Sequence, residues 1–400
     1  MQVYVIEGSG RGGMIQYDYN LCRALKLNGV DAALVTSTYY ELRDLPHNFP
    51  VYELLHLWDP RAPRPLSRWR WMLRRAGRGI QYPREWLRLI LFLLRQRPDV
   101  VLFGEIRFNF EFYFFWLLKR LGFKLAAVVH DVRTWNRSSS GALTDDSQEH
   151  LQAYLRIYRL FDALFVHDRS NTELFLSLYP VEKARVHEIQ HATSDLTLEV
   201  VPTITADEAR VKMNVPPGKK VALFFGALAK YKGVDVLVEA FAQTIARCPD
   251  AHLVIAGFPT KEMNMDELRA RAAELGIADA VSWYLDYVPN EWIKPLMEIS
   301  TVVVLPYRLV GQSGVLQQAY AHGRPTIATR VGGLPDAIED GESGLLVPPE
   351  DPAALAEAMV KVLNDPAFAD RIAARGKELS QTRFSSSAVA ASIENVLKAL

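Results

Sequence analysis

A series of short, almost purely apolar runs dictates the architecture open to this chain. The first half carries QVYVI, AALVTS, VVLF, LAAVV and ALFV, and the second VALFF, HLVIA, TVVVL, TIAT and LLV. None alternates between apolar and polar residues. Strands that lack alternation are those buried on both faces, as in a parallel sheet covered by helices on each side. The intervening segments have helical spacing. Ile15, Tyr19, Leu21, Leu25 and Leu27 mark one helix, closing at Asn28-Gly29, and VDVLVEAFAQTIAR and PAALAEAMVKVLND mark others. The polar, proline-bearing stretch around 199–218 interrupts the pattern, which then restarts. The spacing predicts an α/β protein with two doubly wound, Rossmann-like domains in series, 1–198 and 219–382, and a last helix near 383–400 packing back on the first.

Four hundred residues exceed what one hydrophobic core accommodates, which agrees with two domains. Net charge is zero, yet residues 1–199 hold 26 Lys/Arg against 22 Asp/Glu and the remainder 20 against 24. A basic half and an acidic half suit different partners. Two cysteines, Cys22 and Cys248, exclude a disulfide framework and point to a reducing compartment. MQVYVIEG reads as a strand rather than a secretion signal. No apolar stretch reaches the roughly 18 residues needed to span a bilayer. A cytoplasmic protein, peripheral on the inner face of the cell membrane, is the expectation.

Ligands of such sheets bind beyond the carboxyl ends of the strands, and three loops there carry suitable residues. FFGALAKYKGVDVL places Gly226, Lys230, Lys232 and Gly233 between a strand and a helix, where cationic charge and helix dipole act together on an anion. In Gln312-Ser313-Gly314-Val315, backbone N–H groups and a hydroxyl open the next helix, and Gln318 lies one turn in. Ser313 reads equally well as a plain helix N-cap. Gly332-Gly333 permits close approach of backbone. In the first half, Gly8, Gly10 and Gly13 form a Gly-x-Gly-x-x-Gly loop, but the strand that follows lacks the acidic end of a dinucleotide site. His130 and Asp131 end another strand, and a strand-end histidine alone is more often structural. The Asp145-Asp146 pair reads as a solvated loop.

Together and in order, these segments resemble family-4 glycosyltransferases of the GT-B fold, most strongly from Val221 to Pro349. The parallels are Lys232-Gly233, AYAHGRP for the family's Ala-x-Ala-x-Gly-x-Pro, and GGLPD for its Gly-Gly-x-Pro-Glu. Three positions depart. Ala227 stands where the family has arginine, and Val310 and Gln318 stand where it has two glutamates with seven residues between them. The Gln-Ser-Gly turn places the chain in a subgroup, with Lys230 or Arg308 as candidate replacements for the lost positive charge.

The resemblance implies transfer with retained configuration, no metal and no cofactor beyond a UDP- or GDP-linked sugar. It places Gly12 and Gly13 against the donor phosphates and Tyr287, in YLDYVP, at the base. Donor binding thus falls to Gly12, Gly13, Gly226, Lys230, Lys232, Tyr287, Arg308, Gln312, Ser313, Gly314, Val315 and Gln318, and catalysis to His130, Asp131 and Lys232. His191 falls at the domain boundary. A catalytically silent partner subunit or sugar-binding protein is the alternative, motivated by the missing glutamates.

Residues 61–97 hold eleven arginines and one acid, Glu85. Arg68, Trp69, Arg70, Trp71, Arg74 and Arg75 sit beside an amphipathic stripe of Leu87, Ile90, Leu91 and Leu94, a composition suited to an anionic membrane or a glycan or polyprenyl-linked acceptor. No nucleic-acid recognition fold accompanies the arginines.

Overall fold

The structure, a computed structural model, describes residues 1–56, 68–132, 148–193 and 196–400; Arg61, Arg64, Asp145 and Asp146 lie outside them. Two parallel sheets divide the chain. The first holds β1 (Gln2–Ile6), β2 (Asp31–Ser37), β3 (Val51–Leu55), β4 (Val100–Phe103), β5 (Lys124–Val129), β6 (Ala163–His167) and β7 (Val186–Ile189), in the order β3-β2-β1-β4-β5-β6-β7. The second holds β8 (Lys220–Phe225), β9 (Ala251–Ala256), β10 (Val281–Tyr284), β11 (Ser300–Leu305), β12 (Thr326–Thr329) and β13 (Leu345–Val347), in the order β10-β9-β8-β11-β12-β13. Each order reverses beside its first strand, at β1/β4 and β8/β11, and opens a crevice there.

The strands legible in the sequence are mostly the inner ones. β3, β7 and β10 lack long apolar runs because they are edges, paired and covered on one side; their residues are largely half-buried. The 199–218 stretch is more than a tether. It contains the helix Ala206–Lys212, and Ala209, Met213 and Val215 are buried in the second domain's core. The helix Ser386–Ala399 returns to the first domain, where Val389, Ala390, Ile393 and Leu397 pack with Val3, Leu21, Cys22 and Leu25.

The chain end is therefore part of the first domain's core. Ile393 is fully buried, and Ile393→Ala should cost about 2–5 kcal/mol. Chemical denaturation followed by a first-domain tryptophan such as Trp86 would show the loss.

Candidate functional site

The carboxyl edges of the two sheets face one another. On the second domain, the loop after β8 turns at Gly226 (φ +116°) and runs to Lys230–Lys232, a single helical turn. A Cβ on Gly226 would stand 3.3 Å from Lys232 Nζ and 3.6 Å from Val315 Cγ2. The lysine ammonium and the first turn of the helix Gly314–Ala321 thus both flank Gly226. The ammonium lies over the Tyr307 ring, 5.0 Å from its centroid. No carboxylate pairs with it among the described residues. A cation near a helix N-terminus suits an anion. One turn on, Gln318 Oε1 is buried with no hydrogen-bond partner among the described residues.

Three other expected donor residues are differently engaged. Arg308 is held by Asp235, at 2.7 and 2.8 Å, and by Glu350, while donating to the Lys230 carbonyl at 2.8 Å. It braces the lysine loop and supplies no free charge. Ser313 is the N-cap, its Oγ accepting from Leu316 N at 3.2 Å. Gln312 crosses to the other domain, its amide donating to Asp168. Lys230 is exposed. Tyr287 is half exposed and faces Glu41 and Arg11 across the cleft.

On the first domain the glycine loop is organised by buried Glu7, which accepts from Ser9 N at 2.8 Å and Gly10 N at 2.7 Å. Gly12 N–H, expected at the donor phosphates, instead donates to Glu41 Oε1 at 2.8 Å. A carboxylate of the protein occupies that helix terminus. Gly13 is the next residue of the same turn.

Adjacent strands β5 and β6 both end in Val-His-Asp, and the register Val129↔Val166 sets His130 beside His167. His167 Nε2 and His130 Nδ1 lie 3.1 Å apart. Tyr17 packs edge-on to His130 at 4.6 Å, with His191 completing the cluster 5.1 Å from His167. Burial holds all three imidazoles neutral, His130 down to about 3, His191 to about 4, and His167 well below its ordinary range. His130 Nε2 has no hydrogen-bond partner among the described residues. Asp131 is exposed and faces Tyr231. The repeated Val-His-Asp was the signal in the sequence for His167 and Asp168.

Asp168 forms the seam between the domains. Its backbone (φ 57°, ψ 164°) is a conformation essentially reserved for glycine and costs of order 1–3 kcal/mol. Its carboxyl is 1% exposed and lies against Gly333, where a Cβ would fall 2.6 Å from Oδ2. Burial, then the nearby Asp336 carboxylate, push it up to about 8. Around it Asn171 Nδ2 donates to the Gly311 carbonyl at 2.9 Å and Ser170 N to Asp336 Oδ2 at 2.8 Å. Gln16 Nε2 donates to Asn290 Oδ1 at 3.1 Å on the other side of the cleft.

The expected Arg/Trp group stands apart from this cleft, on the helix Arg68–Gln96. Trp69 is 67% exposed; the side chains of Arg68, Arg70, Trp71, Arg74 and Arg75 lie outside the described part of the structure.

Comparison with known proteins agrees with this arrangement. Residues 219–365 match the family described as Glycosyl transferases group 1, and residues 96–182 match Glucosyltransferase 3-like, N-terminal domain. The D-inositol 3-phosphate glycosyltransferase of Acidothermus cellulolyticus is 37% identical over 162 residues, 39% of this chain and 36% of that protein. The next three curated relatives are also matched over half their length or less. Among solved structures, the sucrose-phosphate synthase of Thermosynechococcus elongatus superimposes with a TM-score of 0.73 at 21% identity, covering 100% of this chain and 98% of that one. The Anabaena protein Alr3699/HepE in complex with UDP-glucose gives 0.74 at 17% identity, covering 100% of both. The fold is GT-B.

The buried groups set a pH dependence of stability. The histidines bind protons more readily when unfolded, so stability rises with pH from about 3 to 6.5. Asp168 does the reverse: it binds its proton more tightly when folded, and its contribution is lost as pH rises toward about 8. Thermal unfolding is expected to show stability falling above pH 6.5, with Asp168→Asn making the fall shallower. Buried Asp18, also pushed well up, accounts for part of the remainder.

Proposed function

We propose that this chain, whose second domain is of the group-1 glycosyl transferase family, moves a hexose-type sugar from a nucleoside diphosphate to a glycan or lipid-linked acceptor, retaining the anomeric configuration. The observation that carries the reading is the Lys232 ammonium, without a carboxylate partner among the described residues, set beside Gly226 and the first turn of the helix Gly314–Ala321. As the sugar–oxygen bond breaks, charge develops on the departing diphosphate. A fixed cation and helix dipole in a cleft stabilise that charge more than they stabilise the bound donor. The unpartnered Gln318 Oε1 suits a ribose hydroxyl. His130 Nε2, buried with no hydrogen-bond partner among the described residues, suits a sugar hydroxyl, and the neutral histidine cluster adds no charge to compete with Lys232. UDP is the favoured carrier, since the Anabaena protein of the same fold is known in complex with UDP-glucose. The chemistry uses no metal in this reading, and the acceptor belongs to envelope or exported polysaccharide synthesis.

The acceptor side carries a surface suited to an anionic membrane. No helix among the described residues is long and apolar enough to cross one. Trp69, Met72, Ile80, Leu87 and Leu91 are all exposed along one stripe of the helix Arg68–Gln96; exposed Arg84 and Arg95 and half-buried Arg88 flank it, Arg84 and Arg88 reaching back to buried Glu85. Trp86 stacks on Phe114 at 4.8 Å and so joins this helix to Phe112–Arg120, which adds exposed Tyr113 and Trp116. Apolar side chains entering the headgroup layer beside arginines, each contributing about 1 kcal/mol near an anionic surface, favour peripheral attachment.

Two measurements test these readings. Purified protein incubated with UDP- and GDP-sugars should release nucleotide, and Lys232→Ala should lower kcat about 10²–10³-fold. Nucleotide binding without turnover across the panel would instead leave a silent sugar-binding protein, the reading that Val310 and Gln318, in place of carboxylates, motivate. In flotation with vesicles containing phosphatidylglycerol, the protein should rise with the lipid at low salt. Ile80→Glu with Leu87→Glu should keep it at the bottom of the gradient.

A further inference from the structure

Asp168 follows β6 directly and precedes the helix Arg169–Leu178. An aspartate at such a position ordinarily sits in extended backbone and accepts from the first N–H groups of its own helix. Asp168 does neither. Its side chain makes no cap hydrogen bond, and its φ of 57° with ψ of 164° is strained. The cap comes from the second domain instead, where Asp336 Oδ2 accepts from Ser170 N at 2.8 Å. A carboxyl needed only for the stability of the first domain would contribute more by capping its own helix from a relaxed backbone.

The Asp168 carboxyl holds a turn of the other domain. Its Oδ2 accepts from Gln312 Nε2, and the contact forms against Gly333, where a side chain would collide with both groups. The adjacent Gly311 carbonyl accepts from Asn171 Nδ2 at 2.9 Å and from Gly333 N at 3.2 Å. Ser313 comes next and caps the helix Gly314–Ala321. One turn in, Gln317 Oε1 accepts from Thr193 Oγ1 at 3.0 Å, with both residues 2% exposed. Asp168, Asn171 and Thr193, all of the first domain, thus grip the segment that begins this helix, while Gly314 itself is left exposed.

That helix start is the one flanking Gly226 beside Lys232. The charge at a helix terminus acts only within about the first turn, so its effect on a bound anion depends on where residues 312–314 are held. We propose that Asp168 is a positioning residue of the donor site that acts from the opposite domain: by holding Gln312 it sets the turn that aims the N-terminus of the helix Gly314–Ala321 at the donor's diphosphate. The anion site is then incomplete in the second domain alone, and the first domain finishes it. The proposal rests on reading that helix start as the diphosphate site, and the test separates the two.

Two measurements on the full chain decide it: hydrogen exchange of the segment 308–318 without ligand, and UDP affinity by calorimetry. Asp168→Gly removes the carboxyl and relaxes the backbone, so it tests the hold without adding strain. Gln312→Leu removes the other partner, and Asp168→Asn keeps a hydrogen-bond acceptor for Gln312. Exchange across 308–318 should quicken at least about fivefold in Asp168→Gly and in Gln312→Leu, with β8 and β9 as protected as in the native protein. UDP should bind at least about tenfold more weakly to both, and the double variant should be no weaker than either single one, as for residues acting through one contact. Asp168→Asn should bring both readouts back to near native. Unchanged exchange at 308–318 in Asp168→Gly, native UDP affinity in either single variant, additive losses in the double, or an Asp168→Asn loss equal to that of Asp168→Gly overturns the proposal. Failure of the native protein to bind UDP counts against the donor reading instead, and the exchange, read without ligand, still decides whether Asp168 holds the turn.

Discussion

Every strand in both sheets runs parallel to its neighbours, and that constraint determines where chemistry occurs in this molecule. Parallel pairing requires a crossover after each strand, so helices cover both faces and leave only the strand ends for polar groups. The carboxyl ends also receive the helix N-termini, with their unsatisfied N–H groups and partial positive charge. Two sheets set edge to edge therefore concentrate helix termini in one cleft. Side-chain identity then decides which termini remain open to a ligand. Glu41 closes the one at Gly12, whereas Lys232 reinforces the one at Gly314.

The cleft is electrostatically sparse for a physical reason. Three histidines, Tyr17 and Asp168 are all buried, and desolvation drives each toward its neutral form. Beside them Lys232, with no carboxylate paired to it among the described residues, keeps its charge available. Arg308 shows the contrast: clamped by Asp235 and Glu350, it contributes rigidity to the same loop and no field at the ligand. The seam at Asp168 combines a strained backbone, a carboxyl pushed up to about 8 by burial and a glutamine from the opposite domain. Strain of that kind persists only where the surroundings hold it, and here Gly333, lacking a Cβ, leaves the room.

The fold was legible where burial was complete. Inner strands such as VALFF and AHLVIA are apolar at nearly every position, whereas the edge strands β3, β7 and β10 mix polar and apolar residues and carry no such run. At the site, Lys232 beside Gly233 could be picked out from one local motif, and the structure sets it next to Gly226 and Tyr307. Residues whose role depends on the other domain could not be picked out. Gln312 sits in a turn that suggests ligand binding, yet its partner Asp168 is 144 positions away. Nothing local distinguishes an amide aimed at a sugar from one aimed at a distant carboxyl. Arg308 was misread for the same reason, since Asp235 and Glu350 are 73 and 42 positions from it.

The helix Arg68–Gln96 draws the acceptor side together. Among its described residues it has two apolar faces, not one. Tyr82, Trp86, Leu89 and Leu93 pack inward into the core, while Ile80, Leu87 and Leu91 face outward. A helix serving only as a cover for a sheet needs a single apolar face, and the second is unexplained by folding. Its one acid, Glu85, is turned inward and held by Arg88, which leaves the outward surface with cations alone. One element therefore closes the first domain's core with its inner face and carries a second, exposed apolar stripe on its outer one.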